Sequence, residues 1–220
     1  MLTRNITLLS ITLLTLVTLG YAMSNENQSR FQLIPIDWNK SDPRWKEFAQ
    51  QYLEKMQQVG QGTPAAKLPG YKFDRVLVEV KSPLISKFIS NYRIYTDKYS
   101  TFVFASDGEV IDLTKYWGGA VGDDPYYRNP QFSNFIKKQN IQINDETGAV
   151  EIIELIEDIY REPFDEPNWK HKVSKNNEIW QVVNTYFGTA SVLAPPVWEI
   201  VTDGQNHIIE VRQRDTMFRR

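Results

Sequence analysis

Two Asp-Gly pairs, each set between runs of β-prone residues, constrain this chain more than any other feature of its sequence. The first lies in Phe-Val-Phe-Ala-Ser-Asp-Gly-Glu-Val-Ile-Asp-Leu at residues 102–113. The second ends Trp-Glu-Ile-Val-Thr-Asp-Gly at 198–204 and is followed by Ile-Ile-Glu-Val at 208–211. An Asp-Gly pair provides the positive-φ turn whose twist matches two antiparallel strands, so both stretches are expected as hairpins with Gly108 and Gly204 at the turn. Hairpins in both halves of the chain point to antiparallel meanders rather than a parallel sheet.

Helices are marked by a different period. Ser41-Asp42-Pro43 combines a capping acid with a proline whose missing N–H is harmless at the first helical position. Trp45, Phe48, Ala49, Tyr52, Leu53, Met56 and Val59 then recur at three- and four-residue steps, which predicts an amphipathic helix with a core-facing stripe, ended by Gly60. Residues 71–81 alternate, with Val76, Val78 and Val80 on one side and Arg75, Glu79 and Lys81 on the other, the period of a half-buried strand. Ser82-Pro83 opens a short helix bearing Leu84, Ile85, Phe88 and Ile89, and 92–96 and 101–105 read as strands. In the second half a short helix is expected at 129–138, with Phe132, Phe135 and Ile136 inward. A longer one follows at 147–160, with Ile152, Leu155, Ile156 and Ile159 on its stripe and Pro163 and Pro167 beyond its end. The remaining strands are expected at 170–173, 179–187, 197–201 and 207–212.

The fold class that follows is α+β: helices packed on antiparallel β-meanders with Asp-Gly hairpins. Each half offers a helix, a meander and a terminal hairpin, which divides the chain at 41–128 and 129–220 after a linker or N-terminal arm at 23–40; a duplicated unit is one reading of this, and chance recurrence of the hairpin text is the other. The element order of 145–213 resembles that of cystatin-like and PepSY-type modules, in which one helix lies across a curled antiparallel sheet. The resemblance is one of layout and carries no motif.

Ahead of these elements, Arg4 is followed by an apolar, threonine-rich run over 6–19 and then by Gly20-Tyr21-Ala22. This is the order of a secretory signal, with cleavage expected after Ala22. The alternative is an uncleaved anchor, because 6–23 carries no charge over a length able to span a bilayer. The chain has no cysteine, which excludes a lipid-modified cysteine and disulfides and fits a bacterial envelope or medium better than a eukaryotic secreted domain. The formal net charge is −2, and one unit more negative once Arg4 leaves with the signal. Without a basic face, a nucleic-acid partner is not expected. The expected localisation is therefore exported, periplasmic or extracellular, with the membrane involved only if 6–23 is retained.

No Gly-x-Ser-x-Gly elbow, phosphate loop or His-Glu-x-x-His pair occurs, so the common hydrolase, nucleotide and zinc-protease signatures are missing. His171 and His207 lack a second ligand at helical spacing and read as structural; no metal or cofactor is expected. Glu151, Glu154 and Asp158 share one face of the second long helix, opposite its apolar stripe, and read as a solvated face. The least ordinary stretch is 116–128, with three glycines, two acids, an arginine and four aromatic residues. Within it Trp117, Asp123, Asp124, Tyr126, Tyr127 and Arg128 are the candidate ligand-binding residues, since aromatic faces beside carboxylates and an arginine suit a peptide, a glycan or another polar ligand. The competing expectation is that the rings plug the seam between halves while the glycines turn the chain. Ala194-Pro195-Pro196 lacks two successive N–H donors and reads as sheet-edge protection. Arg212, Arg214, Arg219 and Arg220 read as a frayed basic end. The leading function class is a non-catalytic binding or interaction module working outside the cytoplasm, with an envelope protein, peptide or glycan as partner. A small hydrolase using carboxylates such as Asp123 or Asp124, and a structural subunit of an envelope complex, are the other two.

Overall fold

A computed structural model describes residues 30–63, 67, 75–97, 99–114, 126–160, 169–186 and 197–214. The leader at 1–22, Pro163, Pro167, the 194–196 segment, Arg219 and Arg220 lie outside the described residues.

The helix expected after Asp42 is α1 (Pro43–Gln61). Asp42 caps it by accepting from the Arg44 backbone N–H, and Pro43 occupies its first turn. Trp45 and Ala49 are buried, whereas Val59 at the far end is exposed. The helix runs through Gly60, and Gly62 caps it instead. One glycine in a last turn costs only about 1 kcal/mol relative to alanine, too little to stop a helix anchored by Trp45. Two further helices begin in the same way. Ser82 caps α2 (Pro83–Phe88) through the Ile85 N–H, and Asn129 caps α3 (Pro130–Lys138) through the Phe132 N–H. The last, α4 (Glu146–Tyr160), opens with the Asp145 carboxylate accepting from the Gly148 N–H.

Ten strands among the described residues form two antiparallel sheets. The first contains β1 (Gln32–Pro35), β2 (Val78–Lys81), β3 (Tyr92–Thr96), β4 (Thr101–Ala105) and β5 (Val110–Asp112), neighbours in sequence order. The second contains β6 (Tyr126–Arg128), β7 (Trp169–Asn176), β8 (Ile179–Tyr186), β9 (Val197–Thr202) and β10 (Ile208–Arg214), ordered β6-β10-β9-β8-β7. The fold is thus α+β with antiparallel meanders. The second set runs strand, two helices, then four strands, whereas the first runs strand, helix, strand, helix, then three strands, with α2 between β2 and β3. They also differ in where the leading strand docks: β1 joins the first strand of its meander and β6 the last of its own. Strand β1 begins inside the stretch read as an arm, pairing Gln32 with Lys81 through Pro35 with Val78.

Burial explains the layering. All five residues of β4 are buried, because Phe102 and Phe104 meet the Trp45 and Ala49 face of α1 while Val103 joins a separate, larger core. That larger core also holds Val80 and Ile94 from the first sheet, Leu84 and Ile85 from α2, Phe132 and Phe135 from α3, and Trp180, Val182, Trp198 and Ile200 from the second sheet. Helix α4 therefore lies between two apolar surfaces and is buried nearly all round, with Ile152, Ile153, Leu155, Ile156 and Ile159 inaccessible or nearly so. A helix apolar on several sides belongs in an interior.

Four expectations are corrected. In β2 the buried residues are Glu79 and Val80, and Val76 is 66% exposed; the sheet is covered on both faces, so alternation does not separate core from solvent. Asp158 is fully buried, as is Glu157, because the face of α4 opposite its main stripe also meets protein; Glu151 pairs with Lys87 of α2 at 2.7 Å. In the second hairpin the positive φ belongs to Asn206, at 65°, and not to Gly204. There the Asp203 carboxylate accepts from the Gln205 and His207 N–H groups, a longer turn in which asparagine tolerates the left-handed position. Finally, Arg212 and Arg214 are in β10 rather than in a tail. A bulge at Ile209, between Ile208 and Glu210 in register, lets Ile208 and Val211 both face the core although three residues apart,.

Candidate functional site

Of the six residues singled out in the aromatic and acidic stretch, Trp117, Asp123 and Asp124 lie outside the described residues. Tyr126, Tyr127 and Arg128 form β6, a strand rather than a loop, paired with Arg214, Gln213 and Arg212 of β10. The register places Gln181, Glu199, Arg212 and Arg128 in one row across four strands. Their neighbours Val182, Trp198 and Val211 face the core, so this row lies on the opposite face. Glu199 is only 2% exposed. Its Oε2 accepts from Arg212 Nε and Nη2 at 2.9 and 2.8 Å, and its Oε1 from Gln181 Nε2 at 3.0 Å. Arg212 lies over the Tyr126 ring, 4.1 Å from its centroid, and Arg128 donates from Nε to Glu210 at 2.9 Å. Glu199 and Arg212 compensate each other within the row, and Arg128 is compensated by Glu210 beside it. The partly exposed Arg128–Glu210 pair and the Arg212–Tyr126 contact fasten β6 to the meander, while the buried Glu199–Arg212 pair ties β9 to β10 by strong charge-assisted bonds,.

A different place has the form of a ligand site. Between α1 and the β4–β5 hairpin is a cleft of about 380 Å³, within the usual range for small-ligand pockets. Helix α1 contributes Phe48, Gln51, Tyr52, Lys55 and Met56; the sheet contributes Ser100, Phe102, Asp112 and Thr114. Helical spacing puts 48, 52 and 56 on one face, and the antiparallel register sets Phe102 opposite Asp112 on that same side of the sheet,. Phe48 and Tyr52 are stacked with parallel rings, and the Phe102 ring meets both edge-on. The floor is aromatic, and among the described residues the rim carries one cation, Lys55, and one carboxylate, Asp112, whose Oδ1 accepts from the Thr114 N–H.

At the inner end of the cleft, Tyr52 Oη is 2.6 Å from Asp97 Oδ2 and 2.8 Å from Ser100 Oγ, and Arg75 Nη1 donates to it at 3.2 Å. Asp97 Oδ1 accepts from the N–H groups of Tyr99 and Ser100, and the Arg75 guanidinium is 3.6 Å from the carboxylate. Burial, and next the Asp97 carboxylate, raise the pKa of the Tyr52 hydroxyl. A phenol held neutral and donating to a carboxylate is a poor general base. The cluster holds α1 against the β3–β4 turn and presents Ser100 to the cleft. Among the described residues, no three His, Asp or Glu side chains converge as a metal site.

Sequence reasoning placed Tyr52 on an apolar stripe and left Asp97, Ser100, Lys55 and Asp112 without a role. The one local signal was Asp97-x-x-Ser100 between two strands, which reads as turn chemistry; the meeting with Tyr52 is tertiary. No protein family, curated protein or solved structure matches this chain.

Proposed function

We propose that this protein is a binding module whose ligand site is the cleft between α1 and the β4–β5 hairpin, and that it works outside the cytoplasm after export through residues 1–22. The observation that carries the binding reading is the cleft itself: an aromatic floor of Phe48, Tyr52 and Phe102 with polar groups of both signs at the rim. Such a combination buries apolar ligand surface and fixes its orientation with a few polar contacts. The hydroxyls at its inner end support binding over chemistry, because Tyr52 is engaged with Asp97 and Ser100 and keeps its proton.

A fragment library of small aromatic acids, amines and amides, screened by NMR on the full chain, tests the cleft. Binders are expected to shift the Phe48, Tyr52 and Phe102 signals, and to bind at least about tenfold more weakly, or about 1.4 kcal/mol, to a Met56→Trp variant of unchanged melting temperature. Binders that ignore Met56→Trp, or a library without one binder, would overturn the reading. The export reading rests on the order of Arg4, the apolar run and Gly20-Tyr21-Ala22,. Among the described residues no helix is long and apolar enough to cross a membrane. N-terminal sequencing of protein from the envelope or medium is expected to begin at Met23; recovery from the cytosol would overturn export.

A further inference from the structure

Resting on the reading of the cleft as a ligand site, we infer that its ligand is an extended peptide segment of a partner polypeptide, added to the first sheet as a strand beside β5.

The register of the β4–β5 hairpin decides which backbone groups of β5 face outward. The Leu113 N–H donates to Thr101 O and the Ala105 N–H to Glu109 O. These two pairs are of the hydrogen-bonded kind, and bonded pairs alternate along an antiparallel ladder. Ile111 is therefore bonded to Val103. Val110 and Asp112, opposite Phe104 and Phe102, turn their N–H and C=O groups away from β4. Among the described residues no strand lies beyond β5 in the sheet. Two donors and two acceptors at a two-residue spacing are what an added strand requires. Strand β5 contains neither proline nor lysine, two of the devices by which proteins guard an edge against pairing.

The cleft supplies the other half of peptide recognition. Val110 packs toward Phe104 and α1, and Asp112 lines the cleft, so the side chains of β5 at these positions lie on the α1 side. In a strand added next to β5, alternate side chains fall on that same side of the sheet. One of them comes over the floor formed by Phe48, Tyr52 and Phe102, which selects an aliphatic or aromatic anchor. Main-chain bonds then give affinity and the pocket gives selectivity.

The test uses acetylated, amidated hexapeptides in which every residue type is placed in turn at a central position, titrated into the full chain by NMR. Binding is expected for large aliphatic or aromatic central residues, with shifts at the Val110 and Asp112 amides and at the cleft. N-methylation of the best peptide at the residues whose N–H faces β5 is expected to weaken binding about tenfold, and at the alternating residues much less. A Val110→Pro variant removes an outward donor while sparing the ladder to β4, and is expected to weaken binding similarly; its melting curve reports folding. Peptide binding insensitive to N-methylation at every position would overturn strand addition and leave the cleft reading standing. Fragments that bind where no peptide does would overturn the peptide class alone. Failure of both fragments and peptides would remove both readings.

Discussion

Tyr52 and Asp97, 45 residues apart in sequence, meet at 2.6 Å and join the middle of α1 to the turn between β3 and β4. The Asp97 side chain is fully inaccessible, so its acceptor capacity has to be met by protein. Tyr52→Phe removes one donor to a buried carboxylate and is expected to cost about 1–3 kcal/mol, measured by urea unfolding.

The same contact gives a pH dependence. Burial raises the hydroxyl pKa of Tyr52 and of Tyr95, so each phenol holds its proton more tightly folded than unfolded. The stability they contribute is fully present below the unfolded value of about 10 and is lost as pH rises through the folded values. Unfolding free energy is expected to fall above about pH 10 in the parent and to fall less steeply in Tyr52→Phe. Parallel pH curves for the two proteins would count against it.

The two Asp-Gly turns respond differently to the same substitution. Gly108 has φ +91°, and a Cβ there would clash with the Arg44 guanidinium; Arg44 donates to the Asp107 carbonyl and is held by the Asp42 carboxylate at 2.6 Å. Gly108→Ala is expected to cost about 1–2 kcal/mol in backbone strain, with loss of the Arg44 contact added. Gly204→Ala meets nothing within 4 Å and is expected to change stability by less than about 0.5 kcal/mol. Thermal melts of both variants check the contrast, with Asn206→Gly expected to resemble the parent.

Along α1 the cost of truncation should follow burial rather than hydrophobicity. Trp45 is buried beneath Tyr95 and Phe104, and Trp45→Ala is expected to cost about 3–5 kcal/mol. Phe48 is half-buried at the cleft and should cost less. Val59 is 59% exposed, and Val59→Ala should fall within about 0.5 kcal/mol of the parent.

In the second sheet, Arg212→Met leaves the Glu199 carboxylate buried without its guanidinium and is expected to cost about 3–5 kcal/mol. Adding Glu199→Leu should recover most of the loss, since two apolar groups replace a desolvated ion pair. A double-mutant cycle in urea measures this, and additive losses would mean that the pair is not coupled.

The local features were legible: the caps at Asp42, Ser82 and Asn129, the turn at Gly108 and the β-rich runs all carry their chemistry within a few residues. What was not legible depends on what lies opposite. The acids of α4 read as a solvated face because Ile152, Leu155, Ile156 and Ile159 already formed one stripe, and nothing local says that a second surface covers Asp158. Gly204 read as the turn glycine because the Asp-Gly text matches that at 107–108, yet Asn206 and the Asp203 carboxylate built a longer turn. Tyr52 was hidden as a binding residue for the same reason, since its ring obeys the helical stripe while its hydroxyl answers to Asp97.

Strand β10 lies between β6 and β9, although it follows both in sequence. During vectorial synthesis, or emergence from any narrow channel, the second sheet is therefore unfinished until residues 208–214 are free. Until then β6 has no partner in the sheet and β9 shows a bare edge. The face of α3 that β10 will cover is open to water, a state that exposes both apolar surface and unpaired strand edges,. Nascent chains arrested before residue 208 should accordingly be sensitive to protease and inclined to associate, and release of the final strand should close the sheet and protect the whole unit in one step.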